Sequence, residues 1–140
     1  MTVMVDLNVV VDVLQRREPF FLASASVCDA VAKGKCKAYV SAHGVTTLFY
    51  LVRKVLAAAN ARKAINWLLS TFDIASVDKQ CLLRARELVL PDFEDAVVVA
   101  SAQAIDCSFI VTRNLGDYRN SPVAAVSPEE FLRILDGENL

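Results

Sequence analysis

The sequence predicts an α/β protein, a three-layer α/β/α sandwich built on a mainly parallel sheet. Three observations predict it. Short, almost wholly apolar runs at 3–5, 38–41, 74–77, 109–112 and 123–126 read as strands buried on both faces. Longer segments with apolar residues at helical spacing separate them, and that alternation is what a parallel sheet needs. The composition is 55% hydrophobic and 22% charged, with a mean hydropathy of +0.41, which suits a sheet covered by helices on both sides. With no repeat, low-complexity segment or linker, the 140 residues read as one domain, 1–140, large enough for a real core.

The first strand runs into Asp6, and either Asp6 or Asn8 can cap a helix over 9–15. Arg16, Arg17 and Glu18 with Pro19 break that helix. A second helix is predicted over 20–32, ending at Gly34 in a left-handed conformation. After the strand at 38–41, a helix over 45–59 places Leu48, Leu51, Val52, Val55 and Leu56 on one face. Another over 61–70 carries Ile65, Trp67, Leu68 and Leu69. The strand at 74–77 leads to Asp78, which caps a helix over 80–90 stopped by Pro91. Residues 96–104 are apolar apart from Ser101 and Gln103, so they read as a buried helix with Asp92 as its N-cap. The strand at 109–112 enters a polar turn holding Arg113, Asn114 and Asp117. After the last strand, Ser127-Pro128-Glu129-Glu130 opens a helix with a capping box and a proline in its first turn. Phe131, Leu132 and Leu135 form its apolar face, and the final five residues are expected to fray.

Charge and cysteine usage exclude several functions. A net charge of −1 does not fit a general phosphate-binding surface, so any nucleic-acid contact has to be a local basic rim. Cys28, Cys36, Cys81 and Cys107 are scattered without a C-x-x-C pair, and His43 has no Cys or His near it in sequence. A structural zinc site is therefore not expected, and the thiols read as buried and reduced. The lone histidine stands near no evident nucleophile, which argues against covalent acyl chemistry. No apolar stretch is long and charge-free enough to span a bilayer, and the first residues lack signal-peptide features. A cytoplasmic location without a membrane partner is the expectation, and the apolar composition leaves room for a subunit interface.

The candidate chemistry lies in carboxylates. Asp6 directly follows a buried strand, and ligands of open α/β sheets bind at the carboxyl ends of strands. Asp92, Glu94 and Asp95 open the buried helix, and Asn114 and Asp117 follow another strand. Each also has a plain structural role. Asp6 can cap a helix, and the three clustered acids can complement a helix dipole for under ~1 kcal/mol each. Asn114 and Asp117 can shape the turn about Gly116. Read functionally, the fold brings Asp6, Asp95 and Asp117 together around a divalent metal. Adjacent helical residues face different ways, so Asp95 is taken as the ligand and Glu94 as its support. Mg²⁺ and Mn²⁺ take oxygen ligands, and Mg²⁺ keeps several waters while using one or two carboxylates. Such an ion polarises a phosphoryl oxygen and activates water, and Arg113 beside it would suit a phosphate.

With these residues placed, the chain resembles the PIN-domain family, metal-dependent ribonucleases that include the VapC toxins of bacterial toxin–antitoxin systems. The resemblance rests on VDLNVVVDVL, VTTLFYLVRK and EDAVVVASAQAIDCSFIVTRNLGDY with SPEEFL, and it covers essentially the whole chain. The last part looks most like a subgroup with an EDA…VTRN…DY pattern. The resemblance implies a PIN fold, Mg²⁺ or Mn²⁺ dependence, endonucleolytic RNA cleavage, a homodimer and an inhibitory antitoxin. Asp6 matches the family's first acid, Asp95 the third, and Asp117 the acid after the TRN turn. Asn114 falls where many members have another Asp. The usual acid on the middle helix is missing: Thr46 and Thr47 occupy that stretch, with no carboxylate between Asp29 and Asp73. A threonine hydroxyl can hold a water but supplies no charge, so Glu94 is expected to compensate in part. Thr112 joins Thr47 as a hydroxyl placed beside the acids. RNA contacts are expected from Arg113, Arg53 and Lys54, and from Arg16, Arg17 and Arg119, through phosphates and splayed bases.

Two other functions fit part of the sequence. An inactive PIN fold, serving as an RNA-binding or protein-interaction module, would account for the missing carboxylate. A phosphatase of the haloacid-dehalogenase type would use Asp6 as a nucleophile. Asn8, however, stands where its second acid belongs, and no clear lysine motif follows.

Overall fold

The computed structural model describes residues 1–137. Strands β1 (Thr2–Val5), β2 (Lys37–Ser41), β3 (Asp73–Ala75), β4 (Phe109–Val111) and β5 (Ala125–Val126) form one sheet in the order β3-β2-β1-β4-β5. Every pairing is parallel, as expected. Parallel neighbours need long crossovers, and helices supply them. Those helices are α1 (Leu7–Leu14), α2 (Phe21–Ala32), α3 (Ala42–Arg53), α4 (Ala58–Thr71), α5 (Lys79–Glu87), α6 (Phe93–Ala104) and α7 (Pro128–Leu135).

Side chains alternate along each strand, which explains the continuous apolar runs. Val3, Val5, Ala38, Val40, Val111 and Val126 face the layer made by α1, α2, α3, α4 and α7. Met4, Ala75 and Ile110 face the opposite layer, where α6 packs on the sheet and against α5. Both faces are dry, so polar chemistry is confined to the sheet's ends.

Strand order decides which end carries the site. The chain moves from β1 outward through β2 to β3, then returns and lays β4 on the other side of β1. The direction reverses between β1 and β4, and the carboxyl ends of those strands border the ligand crevice of such folds. Val5 pairs with Val111, and the Asp6 amide donates to the Val111 carbonyl at 2.9 Å. Asp6 and Thr112 therefore leave the sheet side by side.

Several boundaries differ from the sequence-based expectation. The helix expected over 45–59 ends at Arg53, and Ala58 already belongs to α4. The Leu56 amide closes α3 onto the Val52 carbonyl at 2.8 Å, the Arg53 guanidinium donates to the Leu56 carbonyl, and Ala57 is extended. Alanines favour helix, so nothing local marks this corner; the packing of α3 on α4 imposes it. β3 starts at Asp73 because it pairs with Tyr39, Val40 and Ser41, and α5 stops at Glu87 rather than at residue 90. Asp78, Asp92 and Ser127 cap their helices as expected, and Gly34 has a φ of +73°. The fraying expected at the last five residues lies mostly outside the described residues. Among the described residues, no helix is long and apolar enough to cross a membrane.

Phe131 is fully buried where α7 closes the first layer. Phe131→Ala is expected to cost about 3–5 kcal/mol. Leu22→Ala, at a side chain 75% exposed, should stay within about 0.5 kcal/mol. Urea denaturation of the two variants checks the difference.

Candidate active site

At the crevice, one hydroxyl joins the two acids expected at the centre of the site. The Tyr118 hydroxyl donates to Asp6 Oδ2 at 3.0 Å and lies 3.3 Å from Asp95 Oδ1. Asp6 Oδ2 also accepts from the Thr112 hydroxyl at 2.8 Å and from Asn8 Nδ2 at 3.3 Å. The Asn8 amide nitrogen reaches Thr112 Oγ1 at 3.3 Å, and its carbonyl oxygen accepts from the Arg113 amide. The Asn114 amide donates to Thr112 Oγ1 at 3.1 Å. Residues 6–8 and 112–114 are thus stitched together across the reversal in strand order. Asp6 occupies the N-cap position of α1, yet its side chain makes no capping bond. It is turned toward the site.

A small cleft of about 40 Å³ opens beside these acids, lined by Asp6, Ser41, His43, Thr47, Glu94 and Asp95 among others. That is room for a few ordered waters. Asp95 reaches it because the Asp92 carboxylate accepts the Asp95 amide at 3.2 Å and starts α6 there.

Two carboxylates so placed lack compensating charge. A phenol has one proton to donate, so Tyr118 serves only one of them at a time. Burial raises the Asp6 pKa, opposed by the hydroxyls of Thr112 and Tyr118 and the amides of Leu7 and Asn8. Burial, then Asp6, Asp92 and Asp117, push Asp95 up to about 6, with Tyr118 opposing. Burial and the same two acids raise the Tyr118 phenol well above its usual range, which keeps it a neutral donor.

A family profile describing the PIN domain matches residues 2–116. The chain belongs to the PIN-domain family. Solved structures share the fold of this PIN domain at low identity. A chain of VapBC2 from Rickettsia felis, bound to a DNA fragment from its promoter, superposes with a TM-score of 0.71 at 18% identity, covering 91% of this chain and 98% of that one. A toxin–antitoxin complex from Klebsiella pneumoniae gives 0.68 at 22% identity, with 90% and 97% covered. VapC20 of Mycobacterium tuberculosis, a toxin that cleaves the sarcin–ricin loop, gives 0.64 at 13% identity, with 77% and 86% covered. No curated protein sequence matches the chain at a significant level.

The donor set of this PIN domain suits the divalent metal that the family implies. Asp6 and Asp95 form a carboxylate pair that favours a cation over mutual repulsion. Among the described residues, no three Asp, Glu, His or Cys side chains converge tightly enough to enclose an ion by themselves. Two carboxylates facing a water-sized cleft match a hydrated ion better than a closed cage. Asp117 is exposed in the 3₁₀ turn Leu115–Tyr118, where its charge is felt by Asp95. Asn114 is exposed and heads that turn. Glu94 is exposed at the cleft's rim. The Thr47 hydroxyl lines the cleft and donates to the His43 carbonyl at 3.2 Å.

The basic residues expected to touch RNA do not line the cleft. Arg113 follows Thr112 directly, but its guanidinium turns to Asp12 of α1, with Nε 2.7 Å from Oδ2 and Nη2 3.1 Å from Oδ1. Asp12 is completely buried, also accepts from Ser24, and Arg113 lies 4.2 Å above the Phe20 ring. Arg113 is therefore a structural clamp between α1 and the turn after β4. Arg53 and Lys54 stand at the far end of α3, about 15 Å of helix away from its first turn. Arg16 lies near that far end, beside Val52 and Leu56. Tyr118, Asn8, Ser41 and His43 were assigned no catalytic role from the sequence, although the DY of the terminal motif contains Tyr118. Periodicity carries no signal for them, because their importance comes from contacts across the sheet.

Two outcomes follow from this geometry. The folded chain keeps the Asp95 proton up to about 6, whereas the unfolded value is 3.8. The folded state then binds more protons between those values, so stability falls as pH rises through that window. Carbon-13 NMR of the Asp95 carboxyl should show a midpoint near 6 without divalent ions and a lower one with Mg²⁺; a metal-free midpoint near 4 would contradict the site's electrostatics. Arg113→Ala strands the buried Asp12 and is expected to cost about 3 kcal/mol in urea denaturation. Arg113→Lys should recover only part of that loss, since an ammonium cannot bridge both oxygens.

Proposed function

We propose that this PIN domain is a Mg²⁺- or Mn²⁺-dependent endoribonuclease, the toxin of a type II toxin–antitoxin pair. The observation that carries the proposal is the pairing of Asp6 and Asp95 across Tyr118, at the strand-order reversal and beside an open cleft. A bound divalent ion would supply Lewis-acid polarisation of a phosphoryl oxygen and a more acidic water. Asp6 and Asp95 would hold it, with Asp117 and Glu94 adding negative charge from the rim. Thr112, Asn8 and Tyr118 orient the Asp6 carboxylate, so that little reorganisation is needed when the ion binds. The stitching of residues 6–8 to 112–114 keeps the two sides of the crevice in fixed register.

The toxin–antitoxin complexes and the sarcin–ricin-loop-cleaving toxin that share this fold support a protein antitoxin and an RNA substrate. Exposed Tyr50, Val55 and Leu69 on and beside α3 and α4 offer apolar surface to a second copy in a homodimer. Such a toxin would act in the cytoplasm, where its RNA is.

Antitoxin-free protein incubated with single-stranded RNA should cleave it with Mn²⁺ and lose at least about a hundredfold in rate in EDTA or as Asp95→Asn. Cleavage that persists equally in both would come from a contaminant. No cleavage by the wild type in any metal would favour the inactive binding module, which the absence of a carboxylate on α3 also suits.

A further inference from the structure

The cleft has a wall that carries no acid, and a histidine stands there. His43 is the chain's single histidine. It sits in the first turn of α3, on the helix where relatives of this family place an acid. Its imidazole lines the same cleft as Asp6, Glu94 and Asp95. Among the described residues lining that cleft, it is the one side chain that is not acidic, hydroxylic or apolar. No arginine or lysine reaches this space, because Arg113 is held by Asp12 and the basic end of α3 points away.

The ring is also held in place. Ser41, the N-cap residue of α3, caps no amide; its hydroxyl instead pairs with His43 Nδ1. Ser41 is buried at the end of β2, so this contact is anchored by the sheet itself. The hydroxyls of Thr46 and Thr47 both donate to the His43 carbonyl at 3.2 Å, which fixes the backbone from the other side. The Ser41 hydroxyl occupies Nδ1 and leaves Nε2 for other partners; where Ser41 donates, Nε2 carries the proton. Burial lowers the pKa of the ring, with Glu94 and Asp6 opposing, which favours the neutral imidazole.

We propose that His43 is a catalytic residue that donates an Nε2–H hydrogen bond to an oxygen of the scissile phosphodiester, with Ser41 as the positioning residue that sets its tautomer. Charge on the phosphoryl and leaving oxygens grows as the water attacks, so a fixed neutral donor contributes most in the transition state. A neutral imidazole achieves this without pairing to the acids, as an arginine in the same place would. The contact adds a donor on the cleft wall that carries no acid and leaves the metal to Asp6 and Asp95. The proposal rests on the nuclease function proposed above.

The single histidine makes the test direct. Nitrogen-15 NMR of the protein labelled at His43 should show Nδ1 unprotonated and Nε2 protonated. Adding a short RNA with Ca²⁺ in place of Mn²⁺ should shift Nε2 and leave Nδ1 little changed. His43→Ala is expected to lower kcat for RNA cleavage in Mn²⁺ about a hundredfold with KM and Mn²⁺ affinity near wild type. His43→Gln, which keeps a donor, should recover part of it. Ser41→Ala should mix the two tautomers in the spectrum and lower kcat, and Ser41→Thr should restore both. Wild-type kcat in His43→Ala, or an Nε2 signal indifferent to bound RNA, would overturn the role of His43 and leave the nuclease standing. A wild-type protein that neither cleaves nor binds RNA would overturn both.

Discussion

The contact on which this structure turns is a pair of like charges held together. Asp6 and Asp95 come from distant parts of the chain and share one phenolic hydroxyl, that of Tyr118. Left alone, two half-buried carboxylates brought to one hydroxyl repel each other and retain protons. Under the proposed function, a bound cation would relieve that repulsion. The cost of assembling the pair is spread over hydroxyl and amide donors from Thr112, Tyr118 and Asn8. None of these donors adds a positive charge that would compete with a metal.

A parallel sheet with a reversal in strand order makes that assembly possible. β1 and β4 are neighbours only because the chain, having built the β1-β2-β3 half, returns to the other side of β1. Their register places Asp6 against Val111 and hence Thr112 beside Asp6. The Asp12–Arg113 pair then ties the turn after β4 down onto α1, which keeps Thr112 and Asn114 in position. The same clamp removes Arg113 from the cleft. An arginine beside two acids is thus used for architecture, and the cleft stays free of fixed positive charge.

Helix direction explains where the remaining basic groups went. Each helix that follows a strand starts at the carboxyl edge of the sheet and runs away from it. His43, in the first turn of such a helix, reaches the crevice, as does Asp95 in the first turn of α6, which follows α5. Groups in the last turn, such as Arg53, stand a helix length away. Nearness along the chain is a poor guide to nearness in a site built this way.

Much of the fold was legible in the residues alone. Continuous apolar runs, caps at Asp78, Asp92 and Ser127, and the glycine at position 34 each report a local requirement of the backbone. That Asp6 and Asp95 meet at this edge was legible too, since an acid directly after a buried strand and one at the head of a buried helix can both face it. The corner at residues 54–57 was not, because alanines and leucines are content in a helix and only the packing of α3 on α4 bends the chain there. Nor were the donors around Asp6, the diversion of Arg113 to Asp12, or the seating of His43 against Ser41. Hydrogen bonds between residues a hundred positions apart leave no trace in local pattern; they exist because strand order and register bring those residues together, and that was decided by the tertiary structure.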